Sequence, residues 1–206
     1  MRTVDPVRHA ARRRQILAGA AAAFATKGFD HATVRDICAS AGVGSGTVFH
    51  YFADKRAILH ALLEADRGEA LAALAELDAE NVDDASPEAA LVAFWAAVDR
   101  ATAAMTEPAA GGMVVAILGQ IAVDPRVGEL LVETDSAAHA VMSRRIEALQ
   151  GCGWADADWS AGEAARWVQT VIDGLYLRCG DDDFDAAAEL ARLRVVLSRM
   201  LAIGAG

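Results

Sequence analysis

The chain has 206 residues, 54% of them hydrophobic and only 6% aromatic, with 48 Ala against 4 Pro; this length allows one domain or two small ones around a buried core. Such a composition favours helices, disfavours an all-β fold and argues against long disorder. The formal charge of −10 is unevenly placed, since residues 1–60 carry nine Arg or Lys against four Asp (net +5) and the other 146 carry ten against twenty-five (net −15), so the head is the part suited to a polyanion.

The first predicted helix runs from about His9 to Thr26, where Ile16, Leu17, Ala20, Ala21 and Phe24 form one apolar stripe and Gly28 follows as a stop. Arg12-Arg13-Arg14 before this stripe imitates a secretory leader, but the helical periodicity makes the segment the first element of a fold. A second helix opens at Thr33, where Thr33-Val34-Arg35-Asp36 fits a capping box, and closes at Ala41-Gly42. A third spans about Ser45–Phe52. Asp54 caps a long fourth helix with Ile58, Leu59, Leu62, Ala65 and Leu71 on one face. Asn81–Pro87 reads as a polar connection. Further helices are predicted at 88–106, 113–122, 127–150, 160–179 and 185–203, punctuated by Pro and Gly, for an all-α chain of about nine helices.

Cys38, Cys152 and Cys179 are odd in number and widely spaced, which indicates neither a disulfide framework nor a zinc site and fits a reducing cytoplasm. The longest apolar run, Met113–Val123, falls well short of the roughly 20 residues that span a bilayer, so no membrane segment is expected. Gly42-Val43-Gly44-Ser45-Gly46 lacks dinucleotide-binding spacing and a preceding strand, and no P-loop, H-E-x-x-H or G-x-S-x-G appears. The expectation is therefore no enzyme, no cofactor and no metal, with Asp181-Asp182-Asp183 a loop beside a helix.

Residues 33–56 hold the informative constellation. A helix-turn-helix needs a small residue in its first helix, a Gly in the turn four positions on and an apolar residue six later; Cys38, Gly42 and Val48 meet that spacing, with Ile37, Val43 and Phe52 in support. Ser45, Gly46, Thr47, Phe49, His50 and Tyr51 are left outward in varying degree, a row of hydroxyls and aromatics suited to a DNA groove. An ordinary helical hairpin fits the spacing equally well, and the basic clustering of the same segment favours the DNA reading.

The run Arg14-Gln15-Ile16-Leu17, Phe24, Lys27-Gly28-Phe29, Ala32–Ile37, Ala41-Gly42-Val43, Gly44–Phe52 and Asp54-Lys55-Arg56 with Leu59 resembles the TetR/AcrR family of bacterial transcriptional regulators. The resemblance implies a three-helix DNA-binding domain at 1–58, a helical ligand-binding and dimerisation domain at 59–206, and a repressor that binds a palindromic operator as a dimer. It assigns Thr33, through its hydroxyl or the cap amides, to a phosphate, Arg35 to a phosphate or a base edge, Ser45, Gly46 and Phe49 to the major groove, and Thr47, His50, Tyr51 and Lys55 to flanking phosphates. Gly46 replaces the commoner larger residue, leaving more of the specificity to Arg35 or to DNA shape. The Arg12–Arg14 cluster fits a backbone contact or a solvated basic face equally.

In the body, the last two helices would pair with those of a second copy, with Leu190, Leu193, Leu197 and Leu201 beside Val171, Leu175 and Ala164 as the apolar seam. Trp95, Asp99, Gln120, His139, Met142, Trp167 and Asp173 are the candidate lining of an effector cavity, although each alone also fits ordinary packing. Phe94-Trp95 and Ile172–Leu175 with Arg178 resemble the choline-responsive BetI-like branch, which together with the acidic body and a Trp ring for cation–π contact points to a cationic effector. The alternative is an effector-independent or activating DNA-binding dimer whose body is a protein-interaction module.

Overall fold

The computed structural model describes residues 5–80, 86–107 and 109–204. Its helices are α1 (Pro6–His31), α2 (Val34–Ala41), α3 (Ser45–Tyr51), α4 (Lys55–Ala79), α5 (Pro87–Thr102), α6 (Ala110–Ile121), α7 (Pro125–Gly151), α8 (Ala161–Arg178) and α9 (Ala186–Met200), with a 3₁₀ turn at Ala103–Thr106. No strand occurs among the described residues. Most of the expected connection at 81–87, and Pro108, lie outside them.

Helix α1 starts three residues before the predicted His9 because Asp5 caps it, accepting from Val7 N at 3.0 Å, and Pro6 occupies the first turn where a missing N–H costs nothing. At the other end Gly28 leaves the helical conformation (φ +72°, ψ 160°), as its reading as a stop implies, and the chain turns into a short further piece up to His31 in which Phe29 packs on Phe24 with ring centroids 5.3 Å apart.

The chain divides into two compact units within α4, α6 and α7: residues up to Arg67 with Gly112–Leu131, and Gly68–Gly111 with residues from Val132 on. These are not the expected segments 1–58 and 59–206. Ala116, Val127 and Leu130 join the same buried cluster as the head residues Ile16, Phe24, Ile37, Val48, Phe52, Ile58 and Leu59, so the first unit includes chain from beyond residue 110. Within it α1 and α2 meet so closely that a Cβ on Gly19 would stand 2.5 Å from that of Ala41, which is why this position of α1 has no side chain.

The second unit buries Phe94, Val98, Val141, Met142, Ile146, Leu149, Val168, Ile172, Leu193, Leu197 and Leu201 together. Arg145 is buried with them and donates to the carbonyls of Leu77 and Glu80, satisfying acceptors that the end of α4 leaves open. The expected dimer seam is corrected here: Leu193, Leu197, Leu201 and Ala164 face the chain's own core, and Leu190, Val171 and Leu175 pack partly against it. The apolar residues that α8 and α9 leave outward are Trp167, Leu177, Val195 and Val196. Among the described residues no single helix is long and apolar enough to cross a membrane.

Candidate nucleic-acid interface and body cavity

The interface is built from the break at Gly28 onward. Thr33 closes the predicted capping box, its hydroxyl accepting from Asp36 N at 3.2 Å while its own N–H donates to Asp36 Oδ2 at 2.9 Å. Lys27 Nζ adds an ion pair to Asp36 Oδ1 at 2.6 Å. The Lys27 ammonium, the Thr33 hydroxyl and the Thr33 amide together hold the Asp36 carboxyl well below the ordinary carboxylate range. Since the Thr33 hydroxyl also donates to Asp36 Oδ2 at 2.7 Å, its one O–H donor is committed to the cap and is not left for a phosphate.

Gly42 takes the left-handed conformation (φ 63°, ψ 37°) that the turn requires, and Val43 N donates back to Cys38 O at 3.1 Å. Gln15 Nε2 reaches from α1 to Ala41 O at 2.7 Å and is itself oriented by Arg12 Nη1, 2.8 Å from its Oε1. Gln15 therefore positions the C-terminus of α2, a role the resemblance did not assign and spacing does not reveal across 26 residues.

Buried Val48 and Phe52 anchor α3, and Arg13 packs over the Phe52 ring. With that inner edge fixed, Ser45, Gly46, Phe49 and His50 are exposed and Thr47 is half-buried. Phe49 is 55% exposed, an apolar ring held in water on the same face as Ser45 and Gly46. Tyr51 is half-buried between His9, 4.5 Å away, and His50, 5.3 Å away. Arg8, Arg14 and Arg35 are exposed and form no ion pair among the described residues.

Lys55 departs from its expected role. Its ammonium donates to the carbonyls of Phe29, Ala32 and Asp30 at 2.5, 2.9 and 3.2 Å and lies 4.4 Å from the centre of the Phe29 ring. All three donors are occupied inside the head, which leaves none for a phosphate.

In the second unit a cavity of about 300 Å³ is walled by Leu74, Ala97, Ala101, Val141, Met142, Val168 and Ile172, with Arg100, Thr134, Gln169, Asp173 and Tyr176 as its polar groups. A shallower polar cleft, formed by Asp135, Ser136, His139, Arg166 and Thr170, shares Gln169 and Asp173 with it. Of the sequence candidates, Met142 and Asp173 line the cavity and His139 lines the cleft, whereas Trp95, Asp99, Gln120 and Trp167 line neither. The Trp95 ring is covered by the Arg194 guanidinium at 4.7 Å, and Arg194 also pairs with Asp99. Gln120 is buried in the first unit, its Nε2 3.4 Å from Asp30 Oδ1. Burial and the neighbouring Asp135 raise the Asp173 carboxyl, and burial pushes the Tyr176 hydroxyl up to about 12. Among the described residues no cluster of three or more His, Cys, Asp or Glu has the geometry to hold a metal ion.

Fold and interface together define an all-helical protein with a helix-turn-helix head and a second helical unit. The model of bacterial regulatory proteins of the tetR family matches residues 16–62. The repressor Rv1474c of Mycobacterium tuberculosis is 50% identical over 66 residues, which are 32% of this chain and 35% of that protein. The chain thus covers about a third of the length of this relative, and likewise 35% of the repressor AcnR of Corynebacterium diphtheriae. UidR of Escherichia coli is 24% identical over 92% of both chains. Among solved structures, a transcriptional regulator from Saccharomonospora viridis in complex with choline has a TM-score of 0.77 at 20% identity, covering 93% of this chain and 98% of that one. Residues 16–62, within the first unit, thus carry the signature of bacterial regulatory proteins of the tetR family, and the remainder of the chain shares the fold of such regulators.

Proposed function

We propose that this chain is a transcriptional repressor that binds a palindromic operator as a homodimer in the cytoplasm and is released by a small-molecule effector. The observation that carries the reading is the outward face of α3. Ser45, Gly46, Phe49 and His50 stand exposed on a helix whose other edge is fixed by Val48 and Phe52, with the unpaired Arg8, Arg14 and Arg35 on the same unit. Short polar and aromatic side chains on a rigid helix read base edges, while free guanidinium groups neutralise phosphates. Under this reading Thr47, His50 and Tyr51 flank the groove, Thr33 serves through its cap geometry and the N-terminal amides of α2, and Lys55 is left out of the contact set.

Two heads must sit about 34–36 Å apart, or a multiple of this, to meet half-sites on one face of DNA. Trp167, Leu177, Val195 and Val196, exposed on α8 and α9, supply apolar area for pairing with a second copy. The cavity of the second unit supplies the effector site, and release follows when the effector prefers a body conformation with mis-spaced heads. The cation in the choline complex of the S. viridis regulator supports a cationic effector here. Selection of genomic DNA fragments with the purified protein tests the proposal. A palindrome enriched above background supports it, and no enrichment over sheared bulk DNA overturns it.

A further inference from the structure

Resting on the reading of the second unit's cavity as the effector site, we propose that the effector is an amphiphilic organic ammonium bearing N–H donors. Its head lies at Asp173 and Asp135, and its carbon body runs along Ala97, Val141, Met142 and Ile172. The volume of about 300 Å³ is at the small end of the range for ligand pockets, and its wall is mainly aliphatic. The polar groups beside that wall are unequal in kind. Gln169 uses one amide N–H on Asp135 Oδ1 and keeps its carbonyl oxygen and second N–H, whereas the Tyr176 hydroxyl spends its one donor on Ala101 O at 2.9 Å and has only its oxygen left for a ligand. Asp173 forms no hydrogen bond or ion pair among the described residues, and Asp135 has no cation on its carboxylate. The head end thus offers acceptors and two carboxylates that no guanidinium contacts, although Arg166 lines the cleft and Arg100 the cavity; an ammonium with N–H groups pairs with those carboxylates directly, and a neutral or anionic head does not.

The kind of cation follows from the aromatic residues. A quaternary ammonium has no N–H and is recognised mainly through ring faces. Here the Trp95 face carries Arg194, and Trp167 lies outside the lining, 53% exposed. An N–H-bearing head therefore gains hydrogen bonds that a methylated head cannot make. Arg100, which lines the cavity from α5, is the group that an anionic effector would choose, and the probe set includes one.

The test is calorimetric titration of the full chain with octylammonium, octyltrimethylammonium, octanol and octanoate, below micelle formation, on the wild type, Asp173→Asn and Ala138→Leu; Ala138 also lines the cavity, and the added bulk fills it. The expected result is octylammonium tighter than the other three by about tenfold or more, as for a charge-assisted hydrogen bond of ~1.4 kcal/mol or above. Asp173→Asn, with an unchanged melting profile, brings it level with octanol, and Ala138→Leu weakens all binding. Octanoate as the tightest ligand, equal binding of the methylated and unmethylated ammonium, or an Asp173→Asn variant with full affinity overturns the proposed class; if Ala138→Leu still blocks that binding, the effector-site reading stands. Binding of no probe to the wild type overturns both.

Discussion

The Lys55 ammonium is held over the ring and against the carbonyl oxygen of the same residue, Phe29, at 4.4 Å from the ring centre and 2.5 Å from the oxygen. It also ties down Ala32, next to the Thr33 cap. Lys55→Met keeps the apolar stem and strands three carbonyls, so we expect a loss of about 1–3 kcal/mol in urea unfolding. Where the variant is still folded, the salt dependence of its DNA binding stays that of the wild type. A slope lowered by about 0.9 would return Lys55 to the phosphate contacts.

Asp36 holds the N-terminus of α2 through Thr33 and Lys27, and its carboxyl titrates below the ordinary range. A depressed folded pKa contributes stability that is fully present above the unfolded value of about 3.9 and is lost as the pH falls towards the folded value. The denaturation midpoint of Asp36→Asn therefore lies below that of the wild type at pH near 7, and the gap narrows below about pH 4. A gap independent of pH would remove the ionised carboxylate from the cap.

Two glycines give opposite outcomes with alanine. A Cβ on Gly46 meets nothing within 4 Å, so Gly46→Ala in α3 stabilises by about 0.5–1 kcal/mol through helix propensity. On Gly19 the same atom stands 2.6 Å from Ala41 N, and Gly19→Ala costs about 1–3 kcal/mol by overpacking. Thermal melts of both variants check the pair.

Val195 and Leu177 are outward, whereas Leu197 is fully buried. Val195→Asp combined with Leu177→Asp is expected to shift the chain towards monomer in sedimentation equilibrium with little change in helical circular dichroism. Leu197→Ala instead loses about 2–5 kcal/mol of stability through the cavity it leaves. A double variant that remains fully dimeric would move the pairing surface elsewhere.

What the sequence disclosed was local. The Thr33–Asp36 cap, the turn at Gly42 and the cap at Asp54 each rest on residues a few positions apart, and all three form as read. Asp5-Pro6 carried an equally local start signal, but the predicted helix began at about His9. The periodicity that identified Leu193, Leu197 and Leu201 as one face was correct, but it cannot tell whether a face meets its own chain or a second copy. Long-range partners were not legible: Arg194 on the Trp95 ring, Gln120 near Asp30 and Lys55 on the Phe29 carbonyl join residues 99, 90 and 26 positions apart. For the same reason Tyr176, Gln169 and Arg100 did not stand out as cavity residues, because their convergence is made by α5 and α8 packing rather than by spacing.

The central claim is that the outward face of α3 reads DNA, and the most direct measurement is the affinity of a folded Ser45→Asp variant for the fragment selected by the wild type. With α3 in the major groove as proposed, a carboxylate at that exposed position enters the electronegative field of the DNA, and the account predicts a loss of about a hundredfold, or ~2.7 kcal/mol, with unchanged helical content and stability. Wild-type affinity in a folded Ser45→Asp protein would contradict it.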